Sequence, residues 1–451
     1  MVEIARANAN ASRAFFVRML TRDIAVEDCI LDLIDNSVDS AWRGLGKKPL
    51  GLQSGPDFSQ VKIEIDFDET KFSIKDNSGG MSLDVAKNYA FTFGRIDEDR
   101  EDEAEFSIGV YGIGLKRAMF KLGRGIDIFS THGNGADAIS FAVPINVDKW
   151  VKGKSNNWDF PIDEAPALSS PGMHIKISKL TELAKSTLGD TDFETLLTDM
   201  IARDYSLHLF HGLNVTVNKK RVEGRIFKLL SGGEFEPLNE YYVEKIGNGT
   251  VTVEIAAGYA FPPPETNDPT EKSEREERSG WYVACNGRIV MAADKSILSV
   301  WGDDFPGWHP QYTGFFGIIL FSSDETELLP LTTTKRSVDT SSIVYRRARP
   351  KMKTPTRAWI DYTNARKNEV VAAEKRESLA TQTSIFSMSH SAKVALPSLK
   401  RTGPRETSIQ FRVEMERAKK LARALGDVTL ANREVGKRAF DYTYDELVDD
   451  E

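Results

Sequence analysis

One stretch of twelve residues, 30–41, joins the apolar spacing of a helix to an unusual density of acidic and amide side chains. It reads ILDLIDNSVDSA. Leu31, Ile34 and Val38 recur every three or four residues, as apolar side chains do on the packed face of a helix. The other faces carry oxygen-rich side chains at similar spacings: Asp32, Asp35, Asn36 and Asp39. On its own such a face is more often simply solvated, so its meaning depends on the motifs that follow it.

The size and the cysteine content exclude several classes of protein. At 451 residues the chain exceeds the length at which one hydrophobic core stops growing, so we expect two or three domains. Cys29 and Cys285 are the only cysteines and lie far apart in apolar runs, which argues against a disulfide framework and a zinc site. No apolar run approaches about twenty residues, and the N-terminus lacks the features of a signal peptide. We therefore expect a cytoplasmic protein that does not contact membranes.

Charge is distributed unevenly along the chain. The formal net charge is -8, yet residues 336–438 contain 23 Lys and Arg against 10 Asp and Glu. This excess of +13 leaves -21 for the rest of the chain. A cationic C-terminal third on an acidic body is consistent with binding of nucleic acid or of a partner protein. A set of helices joined by salt bridges explains the same composition equally well, so both interpretations stay open.

The order of periodic segments predicts two mixed domains followed by a helical region. Residues 61–67 and 71–76 alternate between apolar and polar side chains and predict a β-hairpin that ends at Asp76. A DNSGGMS loop, a helical run, an acidic segment and the sequence GVYGIGLKRAMFKLG follow. We expect three regions: a first mixed domain at 1–210, a second α+β domain at 211–350 and a mainly helical, basic region at 351–451.

The acidic helix, the strand that ends in Asp76 and a glycine-rich turn together describe a nucleotide pocket. An adenine needs an acceptor for its exocyclic amine, and a carboxylate at a strand end can supply one directly and through a water. A triphosphate needs backbone N–H groups at close range with a helix N-terminus behind them, which glycines permit. The turn offers Gly109, Gly112, Gly114, Leu115 and Lys116. The lysine would add a point charge.

The acidic helix would supply the remaining chemistry. Mg²⁺ prefers oxygen ligands and keeps several waters, so one side-chain oxygen together with the phosphates is sufficient. Asn36 is the candidate for that ligand. Hydrolysis also needs a base that orients and deprotonates a water, and Asp32 lies one helical turn earlier on the same helix.

This ordered set of motifs resembles the GHKL ATPase superfamily, which includes the ninety-kilodalton heat-shock chaperones, type II topoisomerases, MutL, MORC proteins and histidine kinases. The resemblance covers residues 15–350. In DLIDNSVDSA, Asp32 occupies the position of the general-base glutamate and Asn36 that of the magnesium ligand. Asp39 occupies the position of the acidic residue beside the adenine site.

Two further boxes of that superfamily are also matched, and a third is similar. DNSGGM matches the adenine-binding box through Asp76, Gly80 and Met81, and PGMHIKI is similar to a later box through Gly172. GVYGIGLK matches the phosphate-binding box in a form close to that of MORC proteins. The residues matched there are Gly109, Val110, Tyr111, Gly112, Ile113, Gly114, Leu115 and Lys116.

A second domain of the same superfamily is indicated further along the chain. GWYVACNGRIVM and LLPLTTTKRSVD resemble the transducer domain of MutL, topoisomerases and MORC proteins, in which a lysine reaches the nucleotide pocket; Lys335 occupies that position. Its ammonium would sense the γ-phosphate and stabilise charge that develops there. The resemblance thus implies an α+β fold: a Bergerat-type ATP-binding α/β sandwich, a transducer-type α+β domain and a helical C-terminal region.

The function implied by the resemblance is an ATP-dependent conformational switch. ATP would order the acidic segment 97–106 as a lid, two copies would associate through their N-terminal domains into a homodimer, and hydrolysis would reset the cycle. The basic region would act on nucleic acid or a partner protein. Similarity to MORC-like and restriction-associated ATPases implies a role in defence against phage or foreign DNA.

One departure from the superfamily keeps two alternatives open. Asp32 is one methylene shorter than the usual glutamate, so we expect hydrolysis to ADP and phosphate to be slow. The chain could instead be a chaperone-like ATPase that closes around client proteins. It could also be a scaffold that senses ATP without turning it over.

Overall fold

The computed structural model describes residues 12–46, 48–92, 106–109, 112–153, 158–261, 269–399 and 409–448. The chain forms two compact units, one up to residue 400 and one from residue 401. Two large β-sheets lie in the first unit. The described part of the second unit contains helices.

Within the described residues, the first sheet has eight strands: β1 (Lys62–Phe67), β2 (Phe72–Asp76), β3 (Gly123–His132), β4 (Ile139–Asn146), β5 (Asp163–Glu164), β6 (Gly172–Leu180), β7 (Asn214–Val217) and β8 (Lys220–Arg221). Their order is β5-β4-β3-β6-β2-β1-β7-β8, and only β1 and β7 pair in parallel. Ile65 lies opposite Ile74, which lies opposite Ile175, so the alternating apolar residues share one face. The hairpin that was predicted to end at Asp76 is confirmed.

Eight helices of the described residues accompany this sheet: α1 (Arg13–Thr21), α2 (Val26–Leu45), α3 (Leu83–Val85), α4 (Gly114–Leu122), α5 (Val147–Lys152), α6 (Glu182–Leu188), α7 (Phe193–Asp204) and α8 (Ser206–Phe210). A π-helical turn at Ala86–Ala90 follows α3. The apolar stripe predicted for α2 is confirmed, because Leu31, Ile34 and Val38 are buried in the core. Helix α2 packs against α4, which sets the acidic helix beside the glycine-rich turn.

The second sheet has the order β10-β11-β14-β12-β13. Its strands are β10 (Leu238–Ile246), β11 (Gly249–Tyr259), β12 (Gly280–Cys285), β13 (Arg288–Asp294) and β14 (Phe315–Ser322). The helices beside it are α9 (Pro269–Arg278), α10 (Ile343–Arg366) and α11 (Val370–Glu377), and β9 (Lys228–Ser231) pairs with β15 (Thr381–Ser384). Trp281, Trp301 and Trp359 are buried in its core. Cys29 and Cys285 are buried and free, as predicted.

The second unit contains α12 (Met415–Ala424), which packs against α13 (Asn432–Leu447). The predicted mixed α+β class with a helical C-terminal region is confirmed. The boundaries of the three predicted domains stay a prediction; β7 and β8 belong to the first sheet although they follow residue 210. No helix in the described part of the chain is both long and apolar enough to cross a membrane.

Candidate active site

A cavity of about 970 Å³ lies between α2, the end of β2, the start of α4 and the loop that follows β14. It is lined by twelve residues that the sequence predicts for the site: Asp32, Asn36, Asp39, Asp76, Gly80, Met81, Gly109, Gly112, Ile113, Gly114, Leu115 and Lys335. They come from motifs that are far apart in the chain. The fold therefore gathers most of the predicted motifs around a single cavity.

Asp76, the last residue of β2, is fixed at one end of the cavity by three hydrogen bonds. Its Oδ2 accepts from the Ser37 hydroxyl at 2.8 Å, and its Oδ1 accepts from the backbone N–H groups of Ser78 at 2.9 Å and Met173 at 3.2 Å. Burial raises the pKa of Asp76, although the hydrogen bonds from Ser78 and Ser37 oppose the rise. An ionised carboxylate has about four acceptor sites, so about one is left for a ligand.

Two glycines allow the backbone to approach closely around Asp76. Gly172 lies so near β2 that a Cβ there would be 2.1 Å from the Asp76 carbonyl oxygen. Gly80 has φ +71°, and a Cβ there would be 2.1 Å from the Thr131 carbonyl oxygen. A side chain at either position would push the two backbone segments apart. Only glycine fits at Gly80 of the DNSGGM motif and at Gly172 of the PGM motif, because the backbone approaches so closely there.

Asp39 fastens the glycine-rich turn to α2. Its Oδ1 accepts from the Ile108 backbone N–H at 2.6 Å, and its Oδ2 accepts from the Gly109 N–H at 2.8 Å. Burial raises the pKa of Asp39 to about 6, against the opposing effect of the hydrogen bond from Ile108. Both carboxylate oxygens are thus used to hold backbone. The sequence predicts Asp39 as a residue beside the adenine, and the structure places it on the cavity wall as the anchor of this turn.

Asn36 presents its amide to the cavity. It is exposed, whereas every other residue from Cys29 to Asp39 is buried. In the described part of the chain, no three His, Cys, Asp or Glu side chains are grouped so that they could hold a metal ion. A magnesium ion here would depend on one side-chain oxygen together with phosphate and water oxygens, and Asn36 fits that requirement.

Asp32 is held between two cations. Its Oδ2 accepts a hydrogen bond from Arg117 Nη2 at 2.7 Å, and its Oδ1 lies 3.4 Å from Lys335 Nζ. The carboxylate is buried, and it lines the cavity together with both cations. The predicted base and the predicted phosphate sensor are therefore direct neighbours.

Asp35 is the centre of a buried ionic network beneath the cavity. Its Oδ2 accepts from Lys335 Nζ at 2.6 Å, and its Oδ1 accepts from the Tyr205 hydroxyl at 2.5 Å. Arg288 of β13 lies 3.3 Å from Asp35 and 2.8 Å from Asp204. Burial opposes ionisation of Asp35, but the charges of Lys335 and Arg288 outweigh it and hold the pKa of Asp35 below its usual value. Asp35 is therefore structural rather than solvated.

Arg336 anchors the loop that carries Lys335. Its Nη1 donates to Asp204 at 3.0 Å, and its Nε donates to Asp28 of α2. Lys335 itself has φ +55°, a left-handed conformation that is uncommon outside glycine. Lys335 and Arg336 thus fix this loop to α2 and α7.

Some predicted residues lie elsewhere or are not described. Lys116 is buried, and its ammonium donates to the carbonyl oxygens of Ala90 at 3.1 Å and Thr92 at 2.7 Å. Burial lowers the pKa of Lys116 to about 8. Its contact with phosphate stays a prediction. Val110, Tyr111 and residues 97–105 of the predicted lid lie outside the described residues.

Sequence reasoning missed several residues of the site. Arg117 and Arg288 are the main cations among them, and neither is distinguished by its local pattern. Asn286, in the turn between β12 and β13, donates from Nδ2 to the Ser107 carbonyl at 2.7 Å and to the Ser323 carbonyl at 2.9 Å. It thereby joins the second sheet to the glycine-rich turn. The Asn286-Gly287 pair is a sequence signal that could have indicated the positive φ angles of this turn.

Comparison with known proteins agrees with this geometry. No curated protein matches the chain. Residues 24–160, which include α2, the hairpin and the glycine-rich turn, match the family described as histidine kinase-, DNA gyrase B-, and HSP90-like ATPase. The match supports ATP binding by this segment and its assignment to the GHKL superfamily.

Proposed function

We propose that the protein binds Mg-ATP in this cavity and hydrolyses it slowly, using the nucleotide cycle as a conformational switch. The observation that carries the proposal is the convergence of Asp32, Asn36 and Lys335 on one cavity wall. These groups supply a base, an oxygen ligand and a cation. The family match at 24–160 supports the ATP-binding part.

The position of the groups gives the nucleotide an orientation. The adenine lies at the Asp76 end, where a fixed carboxylate can accept its exocyclic amine. The phosphates lie at the start of α4, where Gly114 and Leu115 present backbone N–H groups at a helix N-terminus. The γ-phosphate then lies beside Asp32 and Lys335, whose Oδ1 and Nζ atoms are 3.4 Å apart.

Hydrolysis in this orientation needs one proton acceptor. A water oxygen attacks the γ-phosphorus and gives a proton to Asp32, while the bond to the bridging oxygen breaks and its electron pair leaves with ADP. Lys335 stabilises negative charge on the transferring group. Asn36 would hold Mg²⁺, which neutralises charge on the β- and γ-phosphates when bound.

Steady-state phosphate release tests the enzyme against the non-hydrolysing scaffold. We expect measurable turnover that Asp32→Asn abolishes, with ATP affinity retained in the variant. Binding without turnover in both proteins would leave the scaffold as the better description. Asn36→Ala should remove magnesium-dependent binding, and an unchanged affinity for ATP in that variant would contradict the site.

Association of two copies is the proposed response to ATP. Phe15 and Met19 lie one turn apart on α1, and each is 53% exposed. Such a surface supports a contact between N-terminal regions. Light scattering should show a dimer with a non-hydrolysable ATP analogue and a monomer with ADP. Phe15→Ser with Met19→Ser should abolish the dimer, and a dimer that is indifferent to nucleotide would contradict the switch.

The basic region is proposed to carry the output by binding nucleic acid. In α10 the cations are largely neutralised, because Arg347, Lys351 and Arg366 pair with Glu244, Glu240 and Glu377 at 3.1, 3.0 and 2.7 Å. The salt-bridge interpretation therefore accounts for part of this region.

Helix α12 differs from α10. Arg417, Lys420 and Arg423 recur every three residues, are exposed, and have no ion-pair partner among the described residues. Affinity for duplex DNA should fall steeply with salt, and Lys420→Gln should reduce the logarithmic salt slope by about one unit. The matched control is Lys351→Gln on α10, which should leave the slope unchanged. Binding that does not weaken with salt would contradict this output, and the defence role rests on the resemblance alone.

A further inference from the structure

Arg117 is a buried cation on the cavity wall that the motifs do not account for. It lies in the first turn of α4, directly after the glycine-rich turn, and is 8% exposed. Its Nη2 donates to Asp32 Oδ2 at 2.7 Å and lies 3.5 Å from the Thr333 carbonyl oxygen. The side chain lines the cavity beside Lys335.

The guanidinium has more donors than these partners use. A guanidinium carries five N–H donors in a fixed plane. The two contacts above share one nitrogen, and the buried Nε has no hydrogen-bond partner among the described residues. A buried donor without a partner is unfavourable, so such a group favours an additional anion. Phosphate oxygens match the geometry of the fork.

Each oxygen of the Asp32 carboxylate has a cation next to it in this arrangement. Arg117 binds one of its oxygens and Lys335 lies near the other. A water that is to be activated must compete with two charged donors for the same carboxylate. Lys335 has a second carboxylate partner in Asp35, whereas the ion pair of Arg117 is with Asp32. Of these two cations, Arg117 therefore depends more strongly on Asp32 for its counter-charge.

We propose that Arg117 is a further γ-phosphate ligand of this site. With ATP bound, the guanidinium donates to a γ-phosphate oxygen and loosens its hold on Asp32, which then accepts the hydrogen bond of the attacking water. With ADP bound, the pair between Arg117 and Asp32 persists. The inference rests on the proposed ATPase function and adds a residue that distinguishes ATP from ADP.

The test compares nucleotide affinities in a double-mutant design. Isothermal calorimetry measures the Kd of ADP and of a non-hydrolysable ATP analogue, both with Mg²⁺, for Arg117→Gln, Arg117→Lys, Asp32→Asn and the double variant. Arg117→Gln should weaken the ATP analogue about tenfold or more, because a hydrogen bond to a charged group is lost, and should leave ADP within about twofold. Arg117→Lys should recover part of the loss.

The Asp32→Asn background separates phosphate contact from mere support of Asp32. Arg117→Gln should still weaken the ATP analogue there, since the phosphate contact does not require the carboxylate. If the effect disappears in that background, or if ADP and the ATP analogue weaken equally, the inference is wrong. Failure of the unmodified protein to bind either nucleotide would instead overturn the proposed function. Arg124→Gln, outside the cavity, is the matched control, and circular dichroism checks folding.

Discussion

The carboxylate of Asp35 accepts a hydrogen bond of 2.6 Å from the ammonium of Lys335, across 300 positions of the chain. Both side chains are buried. Tyr205 and Arg288 contact the other oxygen of the same carboxylate. This contact binds the acidic helix to the loop that supplies the predicted phosphate sensor. The predicted base, the predicted sensor and the second sheet are therefore parts of one electrostatic unit.

Removal of the Asp35 charge should destabilise the fold strongly. Asp35→Asn leaves Lys335 and Arg288 as buried cations with fewer counter-charges, and breaking such an arrangement costs about 3–5 kcal/mol. Chemical denaturation followed by circular dichroism measures the loss of unfolding free energy. Glu64→Gln is the control, because its pair with Lys75 is 4.0 Å long and lies on the surface. Equal effects of the two substitutions would show that the buried network is not stabilising.

Asp39 should make stability depend on pH between about 4 and 6. Its folded pKa is raised to about 6, so the folded protein binds a proton more readily than the unfolded chain. This contribution to the unfolding free energy is present at low pH and is lost as the pH rises through about 6. Its size is about 3 kcal/mol at most. Denaturation curves of the unmodified protein and of Asp39→Asn should differ in slope within this window, and parallel curves would contradict the assignment.

Gly172→Ala should disrupt the end of the cavity where we propose that adenine binds. The added Cβ would lie 2.1 Å from the Asp76 carbonyl oxygen, so β2 and β6 must separate there. We expect ATP affinity to fall about tenfold or more, as binding loses at least one well-placed hydrogen bond. Gly44→Ala is the control, since nothing lies within 4 Å of its Cβ position in α2. An affinity for ATP that is unchanged in Gly172→Ala would show that Asp76 does not contact the adenine.

Asn286→Ala should lower the affinity for ATP, because Asn286 joins the second sheet to the glycine-rich turn. The substitution removes the hydrogen bonds to Ser107 and Ser323, which lie next to the glycine-rich turn and after β14. Stability should fall by about 1–3 kcal/mol, and ATP affinity should fall as well. Asn218→Ala is matched, because Asn218 also has φ +46° and bonds to Phe67 and Glu194. That variant should lose stability and keep its affinity for ATP.

Local periodicity was sufficient to predict the parts of the site that depend on neighbouring residues. The apolar stripe of α2, the hairpin that ends at Asp76 and the glycines before α4 follow from spacings within about ten residues. The partners of Asp32 and Asp35 could not be predicted in this way. Arg117 and Arg288 resemble any other arginine in sequence. Only the packing of α4 against α2, and of β13 against α7 and α8, brings them to Asp32 and Asp35.

Counts of charged residues were also insufficient to predict which cations are neutralised. The excess of cations after residue 336 left a basic surface and a set of salt-bridged helices equally open. Two of the acids that neutralise α10, Glu240 and Glu244, lie in β10, far earlier in the chain. Lys116 follows the glycine-rich turn, as the motif requires, yet its ammonium turns toward the carbonyl oxygens of Ala90 and Thr92. In both cases the outcome depends on contacts between segments that sequence composition does not connect.

The hydrogen bond from Arg336 to Asp204 has a consequence for synthesis of the chain. The two residues are 132 positions apart, and Asp204 is buried. At about 5–20 residues per second, a ribosome needs roughly 7–26 seconds to add the arginine after the aspartate. Until then Asp28 and Asp204 lack Arg336, and Asp35 lacks Lys335. The nascent N-terminal half therefore cannot complete the cavity wall to which Lys335 belongs, and its maturation waits on translation of a segment far downstream.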